Sequence, residues 1–107
     1  MDRQAIKNKY NGLCAYCGIE LSDRFHVDHI RSKRTGGKDE VDNYNPSCPS
    51  CNIRKGTATI ELFRSELKRD LFQLNRDSAK FRLAVRYGLI ALSSDEVIFY
   101  FEKLKGD

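Results

Sequence analysis

Four cysteines in a chain of 107 residues are grouped as Cys14-Ala-Tyr-Cys17 and Cys48-Pro-Ser-Cys51, two C-x-x-C pairs with 30 residues between them. Two residues between thiolates let a tight turn aim both sulfurs at one ion, and two such turns close a tetrahedron, the ligand set of a structural zinc. With sulfur at all four positions the ion has no open place for substrate, so it holds the fold rather than performing chemistry. A pair of disulfides or a redox motif is the alternative. Compartment argues for the metal: no apolar run approaches the roughly 20 residues needed to span a bilayer, and MDRQAIKNKY lacks the apolar core of a secretory signal. The expected location is the cytoplasm, where thiols stay reduced and bind metal more often than they pair; no membrane is expected as a partner.

Between the two pairs runs FHVDHIRSKRTGGKDEVDN, which holds both histidines of the chain and the adjacent Asp28 and His29. An imidazole with an ordinary pKa of about 6.5 can accept a proton at neutral pH, which makes His29 a candidate general base. The net charge of +4 and pI near 8.9 are only moderately basic, so the distribution of charge says more than its sum. Arg31, Lys33, Arg34, Lys38, Arg54 and Lys55 all fall in the cysteine-flanked half, which points to an anionic partner, with a uniformly solvated surface as the alternative. Held by such side chains, the phosphates of a nucleic acid would give affinity without sequence choice.

These groups need elements to hold them. Residues 2–10 suit a short helix with Ile6 and Tyr10 four apart, and RFHVDHI alternates as a strand, with Phe25, Val27 and His29 on one face and His26, Asp28 and Ile30 on the other. RTGGKDE reads as a turn. Pro49 suits the first turn of a short helix on which Asn52 and Lys55, three apart, share a face. The layout is then knuckle, hairpin, knuckle, helix. Beyond Gly56, the apolar positions Ile60, Phe63, Leu67, Leu71 and Leu74 make a helical stripe that reads as core. A further helix should start at Ser78 as N-cap and stop at Gly88. LIAL and EVIFYFE, separated by SSD, look like a terminal β-hairpin. Tyr87, Phe99, Tyr100 and Phe101 read as core packing in preference to base stacking. The fold class is α+β, a small zinc-stapled domain over 1–107 with its metal-stabilised part at 10–57 and a helical and hairpin extension at 58–107.

Taken together, CAYCG, HVDHI, GGKDEVDN and CPSCNIRKG resemble the HNH endonuclease family in order and spacing, over about residues 10–57, roughly half the chain. The resemblance implies a ββα-metal (treble-clef-like) core and metal-dependent hydrolysis of DNA phosphodiester bonds. It also implies site roles: His29 on the first strand as general base, Asn43 in the loop as a brace bonding backbone near His29, and Asn52 on the helix, the H-N-N variant. Asp28 and Asn52 would be oxygen ligands for a catalytic Mg²⁺ or Mn²⁺, a donor set suited to hard cations. Asp28 and His29 point to opposite faces of a regular strand, so the strand must end or bulge there, or the phosphate must lie across its edge. The remainder loosely resembles the extension of short HNH proteins carried by phages, which makes a phage terminase or packaging protein a second partner to consider. A non-catalytic zinc-stabilised nucleic-acid binder would need the knuckles and basic loop but not Asp28, His29 and Asn52, and for a packaging-complex interaction protein the C-terminal helices and hairpin would be the docking surface. The role of His26, on the Asp28 face, stays open.

Overall fold

The structure, a computed structural model, describes residues 1–104. They fall into two compact units, Met1–Phe63 with the C-terminal segment from Ile98, and Arg64–Val97.

The first unit begins with helix α1, Arg3–Asn8, where Asp2 caps the N-terminus by accepting from the Ala5 N–H at 3.1 Å, and Ile6 is buried. A tight turn follows, closed by the Cys14 N–H to Ile19 carbonyl bond at 2.8 Å and the Gly18 N–H to Cys14 carbonyl bond at 3.0 Å. Gly18 sits at φ +78°, a conformation that side chains rarely adopt, and this lets the knuckle fold back on itself. Strands β1, His26–His29, and β2, Tyr44–Ser47, pair antiparallel with Val27 opposite Pro46, Asp28 opposite Asn45 and His29 opposite Tyr44. Pro46 is tolerated because a two-stranded sheet leaves each strand an edge. Its carbonyl takes the Ala15 N–H at 2.8 Å, which ties the first knuckle to β2. Helix α2, Pro49–Lys55, starts with Cys48 as N-cap and Pro49 in its first turn, then stops at Gly56. The expected order of knuckle, hairpin, knuckle and helix is the order observed, in an α+β domain.

The core beneath the knuckle is aromatic. Tyr16 meets Phe63, Phe99 and Phe101 edge-on at 5.6, 5.5 and 5.8 Å, while Phe63 and Phe99 stack at 5.0 Å. Two of these rings come from the C-terminal segment, and here the expected β-hairpin is corrected. No strand forms over 89–103; Tyr100–Lys103 is instead a short helix, α5. The Tyr100 and Phe101 N–H groups donate to the Tyr16 and Ala15 carbonyls at 3.0 and 2.8 Å, and the Phe99 N–H is taken by the Glu102 carboxylate at 2.9 Å. Alternating aromatic residues thus served to drop Phe99 and Phe101 into one core, and the backbone found its partners on the knuckle.

The second unit contains most of α3, Ile60–Asp77, which enters from the first unit, and α4, Ala79–Arg86. Ser78 caps α4 by accepting from the Phe81 N–H at 3.1 Å, and Gly88 at φ +76° ends it, both as expected. The helical stripe is a partial correction: Phe63 is buried at 1% exposure, but Leu71 and Leu74 remain 38% and 47% exposed. Among the residues of Arg64–Val97 none is fully buried.

Candidate functional site

Two constellations stand on this frame, one of sulfur and one built around the end of β1.

The four cysteine sulfurs lie within 4.8 Å of one another, positioned to hold a metal ion. Thiolates about 2.3 Å from a shared ion at tetrahedral angles stand roughly 3.8 Å apart, and the Cys17 and Cys48 sulfurs are 3.8 Å apart. Zinc fits this donor set. Backbone N–H groups of Tyr16 and Cys48 point at the Cys14 sulfur at 3.4 and 3.3 Å, and that of Cys51 points at the Cys48 sulfur at 3.4 Å. The Cys51 thiol, helped by these backbone donors, lowers the Cys14 pKa to about 4, while the same contact pushes Cys51 up. Burial pushes the Cys17 thiol up as well, so the shift towards thiolate, the form a metal requires, falls on Cys14.

The second constellation surrounds Asp28 and His29, whose side chains do leave β1 on opposite sides. The strand ends at His29 without a bulge, and both residues border one groove at that end. Asp28 points inward and is 4% exposed. The Tyr16 hydroxyl donates to its Oδ2, and the Lys55 ammonium stands 3.1 Å from the same oxygen. Burial raises the Asp28 pKa, against the lowering effects of Tyr16 and Lys55. Burial, and then the Asp28 charge, push Tyr16 above the usual phenol range, so its hydroxyl keeps its proton and donates. The Asn45 amide, across the ladder from Asp28, reaches the Tyr16 hydroxyl at 3.4 Å, and its own buried Oδ1 has no protein partner.

Lys55 is a correction. The sequence places it among the phosphate-holding cations, but its side chain is 0% exposed. Its ammonium offsets the buried Asp28 charge and donates to the His29 carbonyl at 2.9 Å. A lysine so enclosed cannot meet DNA; it locks α2 onto the end of β1.

His29 points the other way. Its Nε2 is 2.8 Å from Asp39 Oδ1, and its ring meets Tyr44 edge-on at 5.3 Å. Lys33 lies 2.9 Å from Asp39 Oδ2, and Lys33 first, then His29, holds the Asp39 carboxyl below its ordinary pKa. The loop carrying Asp39 is fastened by Asn43. The Asn43 amide accepts from the Arg31 N–H and donates to the Arg31 and Lys38 carbonyls, each at 2.9 Å. This is the bracing geometry expected of Asn43, reached through its neighbours Arg31 and Lys38. Gly37 allows the same closure, since a Cβ there would stand 1.8 Å from the Arg31 carbonyl oxygen.

Asn52 projects from α2 to His26, with Nδ2 and Nδ1 2.8 Å apart, so His26 orients the helix amide. Asp28, His29 and Asn52 nevertheless line one groove of about 280 Å³, together with Lys33 and Arg34. Of the remaining basic residues, Arg31 is turned to the Thr35 carbonyl at 2.8 Å, Lys38 is exposed and Arg54 is half-buried. Asp39 and Tyr16 were missed in the sequence. The signal for Tyr16 was its place between two metal-binding cysteines; Asp39 had none, because its contact with His29 depends on how the glycine loop closes.

Comparison with known proteins bears on what such a site does. Residues 14–58 match the model of the HNH endonuclease family. Over 70 residues the chain is 31% identical to "SPbeta prophage-derived putative HNH endonuclease YoqL" of Bacillus subtilis (strain 168), an alignment covering 54% of this chain and 29% of that protein. The chain therefore spans less than a third of the length of that relative. No solved structure gives a significant match.

Proposed function

We propose that this chain, whose residues 14–58 match the model of the HNH endonuclease family, hydrolyses DNA phosphodiester bonds at the groove formed by Asp28, His29 and Asn52. The observation carrying this reading is that these three residues, which lie on a strand and a helix, border one open groove beside Arg34 and Lys33. A non-catalytic binding module has no need of that convergence.

In this reading the Cys14, Cys17, Cys48 and Cys51 site holds a structural zinc. Asp28 and Asn52 would hold a divalent Mg²⁺ or Mn²⁺, which would supply positive charge where the reacting phosphate gains negative charge. A carboxylate and an amide are oxygen donors suited to such a cation, which would share Asp28 with the Lys55 ammonium and the Tyr16 hydroxyl. His29 takes a proton from the attacking water. Tyr44 and Asp39 hold the imidazole ring, and Asn43 fastens the loop behind it. Arg34 and Lys38, both exposed, meet phosphates, with Arg31, Lys33 and Arg54 around them. The prophage named for the relative makes phage DNA and a packaging complex the first biological context to try. Among the described residues no helix is long and apolar enough to cross a membrane.

The test is nicking of supercoiled plasmid by zinc-loaded protein, with and without added Mg²⁺ or Mn²⁺. Cleavage should require the added ion, and Asn52→Ala should recover part of its lost activity as that ion is raised. DNA binding with no cleavage under any divalent metal would instead identify a zinc-stabilised binding module.

A further inference from the structure

Asp39 has no place in the sequence reading of the site, yet it makes the bonded contact to the imidazole. Its Oδ1 is 2.8 Å from His29 Nε2, while its Oδ2 is 2.9 Å from Lys33 Nζ. With both oxygens engaged, the carboxylate is fixed in rotation as well as position. The backbone beneath it is also fixed: Asn43 holds the Lys38 carbonyl one residue earlier, and Gly37 packs where a Cβ would collide with Arg31.

An ionised carboxylate can only accept a hydrogen bond, so its partner nitrogen must carry the proton. In a neutral imidazole only one nitrogen is protonated, and the other then bears the lone pair. We infer that Asp39 is a positioning residue which holds His29 in the Nε2–H tautomer, so that Nδ1 is the nitrogen that acts as base. Tyr44, edge-on to the ring at 5.3 Å, limits rotation about the axis that the Asp39 bond leaves open. Among the described residues no protein group bonds to Nδ1, so that nitrogen is available to a water molecule.

This inference rests on the reading of His29 as general base, and the step it serves is balanced as follows. Nδ1 takes a proton from water as the water oxygen bonds to phosphorus; the bond from phosphorus to the leaving sugar oxygen breaks with its electron pair, and that oxygen takes up a proton from solvent. The imidazolium so formed carries its positive charge against the Asp39 carboxylate, which stabilises it as the buried aspartate of a Ser-His-Asp triad stabilises its histidine. Lys33 keeps that carboxylate ionised without touching the ring.

The experiment is side-chain ¹⁵N correlation spectroscopy of the zinc-loaded chain labelled in histidine, at roughly pH 8.5, where an ordinary imidazole is neutral. His29 signals are assigned by comparison with His26→Gln, since the chain contains 2 histidines. The parent protein should show His29 protonated at Nε2 and bare at Nδ1, and Asp39→Ala should show the averaged shifts of a ring exchanging between tautomers. In plasmid nicking, Asp39→Ala should lower kcat by between about tenfold and a hundredfold, less than the loss of the base itself, with KM for DNA little changed. Zinc content and circular dichroism serve as fold controls; Asp39 is 54% exposed, so the substitution should leave the fold intact. A parent protein with His29 protonated at Nδ1, or an Asp39→Ala tautomer identical to the parent's, overturns the inference whether or not DNA is cut. Expected tautomers in a parent protein that cuts no DNA support Asp39's hold on the ring and overturn the nuclease reading alone.

Discussion

The two units of this chain solve the small-protein problem in opposite ways. Among the described residues, Met1–Phe63 with the C-terminal segment gathers the buried apolar side chains, from Ile6 to Phe101, around the stacked Phe63, Phe99 and Phe101, the edge-on Tyr16 and a four-cysteine knuckle. Arg64–Val97 buries none fully and leaves Phe72 and Leu89 66% and 80% exposed. One unit has a dense core and four cysteines positioned to hold a metal, the other has helix caps at Ser78 and Gly88 and half-covered apolar faces. The groove proposed as a nuclease site, where His29 and Asp28 sit, would need precise placement, and it lies on the more densely packed unit.

This contrast makes its largest prediction for metal removal. Structural zinc contributes roughly 10–16 kcal/mol in small zinc domains, about as much as the whole stability of an ordinary domain. Chelation at neutral pH, or Cys51→Ser, should therefore collapse amide protection across β1, β2 and α2, read by hydrogen exchange with mass spectrometry. Protection of α4 should change far less. Equal loss in both units would show one cooperative body and remove the distinction.

Next come the groups that hold the more densely packed unit from within. Phe99→Ala should cost about 3–5 kcal/mol, since Phe99 is 2% exposed and stacks on Phe63. Lys55→Ala should cost a similar amount, about 3–5 kcal/mol, because it strands the buried Asp28 carboxylate. Denaturant unfolding measures both, and a change below about 1 kcal/mol in Lys55→Ala would mean that Asp28 takes up a proton rather than standing uncompensated. Phe72→Ala, on the exposed side of α3, should shift stability by no more than about 0.5 kcal/mol. A larger loss there would mean that α3 covers that ring more fully than its 66% exposure indicates.

The same contrast explains what could be read from the sequence. Local signals carried the knuckles, β1, α2 and the start of α4, because Cys spacing, Pro49 and Ser78 act within a few residues of their own position. The C-terminal segment failed that reading. VIFYFE has the composition of a strand, but Phe99 and Phe101 take their partners from Tyr16 and Phe63, far away in sequence, and tertiary packing overrode propensity. In the candidate site, Asp28, His29, Asn43 and Asn52 were chosen by type and order, and their roles stand as proposals. The burial of Lys55 was not, since six cations in one stretch look alike until the fold encloses one of them. Asp39 escaped for the same reason in reverse: one acid in an exposed loop gains meaning only when Asn43 fastens the loop against His29.

The most direct test compares the initial rate of plasmid nicking by the parent protein and by His29→Ala, at saturating Mg²⁺ or Mn²⁺ and equal zinc content. The His29 side chain is 27% exposed and its ring takes no part in the aromatic core, so the substitution should leave fold and DNA affinity intact. Metal-dependent nicking by the parent, slowed about a hundredfold or more in His29→Ala, is the expected result. Equal rates in the two proteins would show that His29 is not the base, and with that the assignment of this groove as a nuclease site would fall.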